Sequence, residues 1–235
     1  MQFAGKRVLV TGGSRGIGKA IAQYFKAAGA EVWITARSIE PGTKGYAVDF
    51  NDSISSGKFL EVISSAPAFD ILVNNAGINH ISEIGDFPKS EIRALLSVNL
   101  EMVINLSQVV SNRMVEAGLP GRIISIASIW ATNTKAGRSI YSATKSAVLG
   151  LTRGMAVDLA PKGISVNAVS PGFIKTELTQ RTMGDSGIAE VSGLIPMKRL
   201  GEPEEIAEIV GFLASARTTY LTGQNIIVDG GFTIV

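Results

Sequence analysis

The segment Arg7–Gly29, RVLVTGGSRGIGKAIAQYFKAAG, contains the pattern that decides the fold. Arg7–Thr11 is a continuous β-branched run closed by two glycines, which is typical of a buried strand. Gly16–Ala28 follows with apolar residues at helical spacing, and Gly29 is positioned to end that helix. A strand, a glycine-rich turn and a helix in this order predict the first strand–helix unit of a parallel sheet.

The alternation of strand and helix patterns continues along the rest of the chain. Further strands are predicted at Glu31–Ala36, Gly45–Asp49, Phe69–Asn74, Gly121–Ala127, Ile164–Val169 and Asn225–Val228. Further helices are predicted from Ser90 to about Val115, at Ser139–Leu159 and at Glu202–Ala214. These lengths predict an α/β fold of the Rossmann type, a doubly wound parallel seven-stranded sheet with helices on both faces. No repeat or linker interrupts the pattern, so residues 1–235 are predicted to form a single domain.

Two segments depart from this alternation. Residues 37–44 separate the second and third strands and are too few for a crossover helix, and Pro41 and Gly42 favour a turn there. Residues 173–201 are polar and contain several glycines, so they are predicted to form a long loop that covers the substrate site.

The composition excludes several classes of protein. Apolar residues make up 46% of the 235 residues, which excludes a disordered chain, and a net charge of +2 without a basic run argues against a nucleic-acid partner. The chain has no cysteine and one histidine, so neither a disulfide framework nor a metal site is predicted. The first residues lack the apolar stretch of a signal peptide, and no stretch approaches the roughly 20 apolar residues of a membrane helix. We therefore expect a cytoplasmic location and no membrane partner.

The glycine-rich turn between the first strand and the first helix indicates a site for a phosphate group. Glycines let the backbone turn sharply and approach a pyrophosphate, and the helix that follows offers free N–H groups to the anion. The spacing G-x-x-x-G-x-G, from Gly12 to Gly18, differs from the usual G-x-G-x-x-G. Its position between a strand and a helix favours a dinucleotide site over a turn that needs glycine for its conformation alone.

The residues after the second strand favour NADP(H) over NAD(H). Proteins that bind NAD place an acidic residue there for the ribose hydroxyl, whereas an arginine accommodates the phosphate of NADP. Here the strand ends in Ala36-Arg37-Ser38 with no acid, and Arg15 in the glycine loop is a second candidate for the phosphate. The alternative is that both arginines are solvated surface residues, in which case NAD(H) would serve as well.

Ser128, Tyr141 and Lys145 form a candidate acid–base group. Tyr141 and Lys145 are four residues apart in a predicted helix, so their side chains share one face. A free phenol has a pKa of about 10, and a nearby ammonium group lowers it toward values that are useful at neutral pH. A Tyr-x-x-x-Lys pair alone arises often by chance, and the serine at the end of a neighbouring strand makes the group more specific.

With these motifs the chain resembles the short-chain dehydrogenase/reductase family, and in particular its FabG-like branch, whose members often reduce 3-oxoacyl thioesters. The resemblance covers nearly the whole chain and includes Thr11–Gly18, the sequence NNAG at Asn74–Gly77, and Pro171-Gly172 followed by Thr176. It implies the catalytic residues Asn99, Ser128, Tyr141 and Lys145. It implies that the cofactor is bound by Gly12, Ser14, Arg15, Gly16, Ile17, Gly18, Arg37, Asp49, Asn75, Ala76, Gly77, Tyr141, Lys145, Pro171, Gly172, Ile174 and Thr176.

The resemblance also implies a role for each catalytic residue. Tyr141 would protonate the carbonyl oxygen of the substrate, while Ser128 orients and polarises that oxygen. Lys145 would hold the nicotinamide ribose and lower the pKa of Tyr141, and Asn99 would hold a water molecule of a proton relay. The implied function is the NADP(H)-dependent interconversion of a carbonyl and a secondary alcohol by hydride transfer.

Several assignments have competing interpretations. His80, Trp130 and Asn133 are candidate substrate contacts, although His80 and Trp130 could equally have structural roles, and Asp49 could cap a helix instead of contacting adenine. An NAD-linked dehydrogenase of a sugar, sterol or hydroxyacid is an alternative function, and a non-catalytic nucleotide-binding protein is another. The resemblance implies a small-molecule substrate and a homotetramer built through the two long helices and the last helix and strand.

Overall fold

Strand β1 spans Arg7–Thr11 in the computed structural model, which describes all 235 residues. Its alternate residues point to opposite faces of the sheet, as the strand period of two requires. Val8 and Val10 join one apolar cluster and Leu9 joins the other, and all three are fully buried. Because each such side chain contributes roughly 1.5–3 kcal/mol when it leaves water, this short run contributes to the core on both faces.

The other strands are β2 (Glu31–Ala36), β3 (Gly45–Ala47), β4 (Ile71–Asn74), β5 (Arg122–Ile126), β6 (Ser165–Pro171) and β7 (Asn225–Val228). The helices are α1 (Gly16–Ala27), α2 (Ser53–Ser65), α3 (Lys89–Leu96), α4 (Met102–Glu116), α5 (Ser139–Leu159), α6 (Glu177–Leu194) and α7 (Pro203–Ala214).

The seven strands form one parallel sheet in the order β3-β2-β1-β4-β5-β6-β7. Residues of α1 and α7 cover one face, and residues of α2, α4 and α5 cover the other. The chain runs outward from β1 to β3 and then returns to β4, so the strand order reverses between β1 and β4. In such sheets ligands bind in the crevice at the carboxyl ends of the strands near this reversal. The predicted Rossmann-type fold is confirmed.

Helix α2 is an element that the sequence pattern does not predict. It contains five serines and a glycine, and only Phe59 and Ile63 are buried, so its apolar period is weak. Its start is fixed by Asp52, whose side chain accepts hydrogen bonds from the backbone N–H groups of Ile54 and Ser55. Residues 37–44, by contrast, contain no helix, as predicted.

The long loop predicted at residues 173–201 is wrong for most of its length, because α6 occupies Glu177–Leu194. The hydroxyl oxygen of Thr176 accepts from the N–H of Thr179 and caps the helix. Gly184, with a φ of 62°, interrupts the helix, whereas Gly187 and Gly193 lie within it. Of the three glycines that favoured a loop, only Gly184 interrupts the helix, and it does so as a kink.

The single helix predicted between Ser90 and Val115 consists of α3 and α4 joined by a π-helical turn at Ser97–Glu101. Together, Lys89–Glu116 is long and apolar enough to cross a membrane by length and composition, which the sequence analysis did not expect. Half of its most apolar window is buried inside the fold, where Leu106 and Val110 contribute to the core. Core helices of soluble proteins pass the same test, so this is weak evidence for a membrane span.

Candidate active site

The glycine loop between β1 and α1 has the shape of an anion cradle. Gly12 and Gly16 have φ values of 65° and 52°, which side chains rarely adopt. A Cβ atom on Gly18 would lie 2.2 Å from the carbonyl oxygen of Gly12, so a side chain there would push the loop away from the helix. The first turn of α1 has no acidic residue, and the side chain of Arg15 makes no capping hydrogen bond. The backbone N–H groups in the first turn of α1 are therefore free to bind a phosphate.

The segment after β4 holds this loop in place. The Thr11 hydroxyl oxygen accepts from the backbone N–H groups of Asn75 and Ala76, each at 2.9 Å. The Asn75 side chain donates to the carbonyl oxygens of Thr11 and Gly12 at 2.8 and 3.2 Å. The NNAG sequence thus stabilises the conformation of the glycine loop from the end of the neighbouring strand. The side-chain amide of Asn75 makes two of the hydrogen bonds that hold it.

The segment after β6 closes the same crevice from the other side. Thr176 lies next to the glycine loop, because a Cβ atom on Gly16 would be 3.4 Å from its Cγ2 atom. Gly172 donates its N–H to the carbonyl oxygen of Val228 at 2.9 Å and packs tightly on Asp229. Ile174 is buried and forms a parallel bridge with Gly201. Residues of three separate segments that the sequence predicts to bind the cofactor therefore lie around one crevice.

Arg37 and Asp49 follow β2 and β3, which pair in parallel, so both lie at the same edge of the sheet as the glycine loop. Both residues are exposed. The carboxylate of Asp49 accepts from the N–H of Asn51, and the cap of α2 is Asp52, so Asp49 does not cap the helix. A phosphate or an adenine bound at this edge of the sheet would lie near the exposed side chains of Arg37 and Asp49, which carry opposite charges.

Ser128, Tyr141 and Lys145 converge next to this crevice. Ser128 follows β5 and lies close enough to Tyr141 to lower the pKa of the phenol. Its hydroxyl oxygen accepts from the N–H of Trp130 at 3.1 Å. The ammonium nitrogen of Lys145 lies 5.9 Å from the centre of the Tyr141 ring. It is buried and donates to the carbonyl oxygen of Ile126 at 2.8 Å. The hydroxyl, the phenol and the ammonium that the sequence predicted are thus brought together.

Asn99 is fully buried in the π-helical turn between α3 and α4. Its Oδ1 accepts from the N–H of Ile78, and its Nδ2 donates to the carbonyl oxygen of Ile78, both at 2.9 Å. Nδ2 also donates to the hydroxyl of Thr144 at 3.3 Å. A Cβ atom on Gly77 would lie 3.4 Å from Oδ1 of Asn99 and 3.6 Å from Nζ of Lys145, so both side chains border Gly77. Asn99 therefore joins Ile78, the residue after the NNAG sequence, to α5.

Burial controls the proton affinities in the site. Burial raises the pKa of the Tyr141 phenol above its ordinary value, against the hydrogen bond with Ser128 and the charge of Arg138, which both lower it. Burial also lowers the pKa of Lys145 to about 8. In this structure the positive charge that acts on the pKa of Tyr141 is that of Arg138.

The three candidate substrate contacts have different surroundings. His80 lies with Nδ1 3.5 Å from a carboxylate oxygen of Glu91, and its ring centre is 5.3 Å from that of Phe87. Trp130 packs edge-on against Phe173 and Phe232, with ring centres 6.0 and 6.3 Å away. Asn133 is exposed in the loop before α5. The packing interpretation of Trp130 is therefore supported by two aromatic neighbours.

Four residues next to the predicted site residues are absent from the predicted set: Thr11, Arg138, Phe173 and Phe232. The sequence indicates Thr11 only as part of the glycine motif. Its hydrogen bonds to the N–H groups of Asn75 and Ala76 follow from the pairing of β1 with β4 in the sheet. The aromatic contacts join the chain's last residues to the loop after β5, a proximity that no local spacing indicates.

Comparisons with known proteins agree with this geometry. A family model described as Enoyl-(Acyl carrier protein) reductase matches residues 12–233. The 3-oxoacyl-[acyl-carrier-protein] reductase FabG of Vibrio harveyi is 38% identical over 246 residues, covering 100% of each chain. A solved structure titled short chain dehydrogenase/reductase family protein has a TM-score of 0.90 and 35% identity, covering 99% of this chain and 100% of its own.

The chain belongs to the short-chain dehydrogenase/reductase family. It is therefore an oxidoreductase of the type that acts on alcohols and carbonyls, and the FabG-like relationship inferred from the sequence is confirmed. A further solved structure, a gluconate 5-dehydrogenase from Burkholderia cenocepacia in complex with NADP and tartrate, has a TM-score of 0.91 and 33% identity. It covers 100% of this chain and 97% of its own.

Proposed function

We propose that this short-chain dehydrogenase/reductase interconverts a carbonyl and a secondary alcohol with NADP(H), and that Tyr141 is its acid–base residue. The observation that supports this most directly is the convergence of Ser128, Tyr141 and Lys145 beside the crevice bordered by the glycine loop. A non-catalytic nucleotide-binding protein would have no use for a phenol, a hydroxyl and a buried ammonium in one place.

Each polar group of the site has a task in this reaction. The hydroxyl of Ser128 and the phenol of Tyr141, which lie next to each other, would both donate to the substrate oxygen. Tyr141 would then transfer its proton to that oxygen during reduction and regain one afterwards. Lys145 would hold the hydroxyls of the nicotinamide ribose with the donors that Ile126 leaves free. When bound, the nicotinamide supplies the hydride for reduction and accepts it in oxidation.

The raised pKa of Tyr141 favours reduction at neutral pH. A phenol whose pKa lies above its ordinary value of about 10 keeps its proton at pH 7, and reduction needs that proton. Oxidation of an alcohol needs the phenolate as a base, so it requires a higher pH or charges that arrive with the cofactor.

For the cofactor, we predict that NADPH binds at least tenfold more tightly than NADH, because Arg15 and Arg37 are both exposed and neither has a carboxylate partner. Changing both residues to Gln should weaken NADPH binding by about 10- to 100-fold, as expected for losing charge-assisted hydrogen bonds to a phosphate, and should leave NADH binding nearly unchanged. Titration of the protein with each nucleotide, followed by nucleotide fluorescence, measures both affinities.

Lys58→Gln is the matched control for these variants, since Lys58 is an exposed cation on α2 outside the crevice. Equal or tighter binding of NADH by the unmodified protein would contradict the NADP assignment. It would indicate that the short connection at residues 37–44 forms a different adenine pocket and would favour an NAD-linked dehydrogenase.

Hydroxy acids form a second candidate class of substrate, beside the 3-oxoacyl thioesters suggested by the FabG relatives. The gluconate 5-dehydrogenase of known structure, similar over the whole chain, is what favours this class. Both candidates use the same residues in the same roles, and they differ in the group attached to the reacting carbon.

We further propose a cytoplasmic homotetramer with two kinds of interface. Exposed apolar side chains lie on the long helices α4 and α5, at Ile104 and Val157, and around α7 and β7, at Phe212 and Ile227. Apolar side chains that remain exposed on two separate faces fit a symmetric assembly with two kinds of contact.

Light scattering should therefore give a mass about four times the 24.7 kDa of one chain. Phe212→Glu should halve that mass, because a charge would be buried in one of the two interfaces. Leu178→Glu on α6 is the control, since that leucine is equally exposed but lies outside both faces. A monomeric unmodified protein would contradict the assembly.

A further inference from the structure

The side chain of Arg138 has no partner within the protein. Its Nε atom is buried and makes no hydrogen bond, and none of the ion pairs includes its guanidinium. Arg113 and Arg199, by contrast, pair with Glu116 and Glu205. Arg122 also has a buried Nε without a hydrogen bond, but its guanidinium donates to the carbonyl oxygen of Gly121 at 2.9 Å. A partly buried cation without an anion is costly, which is consistent with burial lowering the pKa of Arg138.

Arg138 also lies beside the reacting groups. It is the N-cap residue of α5, three residues before Tyr141, a spacing that puts two side chains on the same side of a helix turn. Its charge acts directly on the Tyr141 phenol. The loop that ends at Arg138 is fixed against the segment after β4, because the carbonyl oxygen of Gly137 accepts from the N–H of Ser82 at 3.2 Å. The backbone of Arg138 is therefore anchored on both sides, at Gly137 and by its own carbonyl oxygen, which accepts from the N–H of Ser142 at 2.8 Å.

The surrounding sequence provides no acid to neutralise this charge. Residues 117–157 contain no Asp or Glu, and Lys135 adds a second positive charge to the same loop. The segment packed against the loop has two acids, Glu83 and Asp86, but both are exposed and neither forms an ion pair with Arg138. An anion that pairs with Arg138 would therefore have to come from a bound molecule.

We propose that Arg138 is a specificity-determining residue that binds a carboxylate carried by the substrate within a few bonds of its reacting carbonyl or hydroxyl carbon. This inference rests on the proposed function, and it narrows the substrate class to small oxo acids and hydroxy acids. A guanidinium binds a carboxylate through two parallel hydrogen bonds, which fixes the orientation of the substrate as well as its position. The carboxylate is unchanged by the reaction, and its role is to place the neighbouring carbonyl between Ser128 and Tyr141.

The test compares acids with their neutral esters. Acetoacetate and 4-oxopentanoate, and the methyl ester of each, are reduced with NADPH at pH 7. We expect kcat/KM of the unmodified protein to be at least tenfold higher for one of the acids than for its ester. Arg138→Gln should lower kcat/KM for that acid by about 10- to 100-fold and for its ester by less than about threefold, because only the acid loses the charged pair. Arg138→Lys should recover part of the loss, since it keeps the charge without the fork of donors.

Arg153→Gln is the matched control, because Arg153 is an exposed arginine on the same helix and lies further along it. Its kinetic constants should equal those of the unmodified protein for both acids and both esters. If the esters are reduced as well as the acids, or if Arg138→Gln lowers both alike, the carboxylate assignment is wrong while carbonyl reduction stands.

A calorimetric titration of the NADP⁺-loaded protein with each acid separates the two proposals when turnover is absent. Binding that is lost in Arg138→Gln but retained in Arg153→Gln, without reduction of any acid or ester, would uphold the carboxylate site and contradict the proposed reductase function. Failure of the unmodified protein to bind either acid would overturn the carboxylate site.

Discussion

Replacement of Tyr141 by phenylalanine is expected to lower kcat for carbonyl reduction by about 10³-fold, which is within the range for removing a general acid. The phenol is the one group in the site that both lies next to the Ser128 hydroxyl and carries a proton that it can transfer. The ring itself would remain, so its contact with the Lys145 side chain and the start of α5 should be preserved. We therefore expect unchanged folding and an NADPH affinity within about threefold, since an exchange that keeps the shape of a side chain disturbs packing little.

Tyr46→Phe is the control for this variant, because Tyr46 lies in β3 and packs against Phe59, away from the catalytic residues. The measurement is steady-state turnover of both variants with any ketone that the unmodified protein reduces, together with thermal unfolding. Turnover that survives in the Tyr141 variant at more than about a tenth of the original rate would exclude the tyrosine mechanism.

The pH profile of the unmodified protein adds a second readout of the same residue. Because burial raises the pKa of Tyr141, the acid form should persist across neutral pH, and the contribution of this residue to reduction should not change between pH 6 and pH 8. The reverse oxidation should accelerate as the pH rises, since it needs the phenolate. A phenylalanine at this position should abolish the second dependence.

Much of the fold follows from patterns that lie close together in the chain. The predicted and observed bounds agree for β1, β2, β7 and α5, since each strand is a β-branched run next to a turn and α5 ends at Leu159, just before Pro161 and Gly163. Helices α2 and α6 were missed because their helical signal is weak and tertiary packing decides their conformation. In α6 only Val191 is buried, so no apolar stripe exists to reveal it.

The residues of the site also fall into those that local sequence patterns identify and those that depend on tertiary packing. The glycine loop and the Tyr141–Lys145 pair depend on local spacing, and the sequence therefore identifies them. The sequence does not identify Arg138, because the role proposed for it depends on a missing partner: neither Glu83 nor Asp86 in the neighbouring segment forms an ion pair with it. Such an absence becomes visible only when the neighbours of a side chain are known.

Lys145 carries the other large predicted effect, and here stability and activity should change in opposite directions. Burial lowers the pKa of its ammonium from 10.5 to about 8. Below pH 8 the side chain is charged in both states, and the charge has a higher free energy in the folded protein than in the unfolded chain. That difference corresponds to roughly 3 kcal/mol against folding at pH 7. Between pH 8 and 10.5 the unfolded chain binds the extra proton, so the stability of the unmodified protein should rise with pH across this range.

Lys145→Met should therefore stabilise the cofactor-free protein at pH 7 by about 1–2 kcal/mol, since the removed charge outweighs the hydrogen bond lost by the carbonyl oxygen of Ile126. The same change should lower turnover by about 10²- to 10⁴-fold, because the ribose loses its anchor. Urea unfolding at pH 7 and at pH 10 measures the first effect, and the gain should shrink toward zero or reverse at the higher pH. A variant that is destabilised equally at both pH values would contradict this prediction. It would show that Lys145 stabilises the fold by packing and hydrogen bonding, and that its buried charge does not lower the stability of the protein.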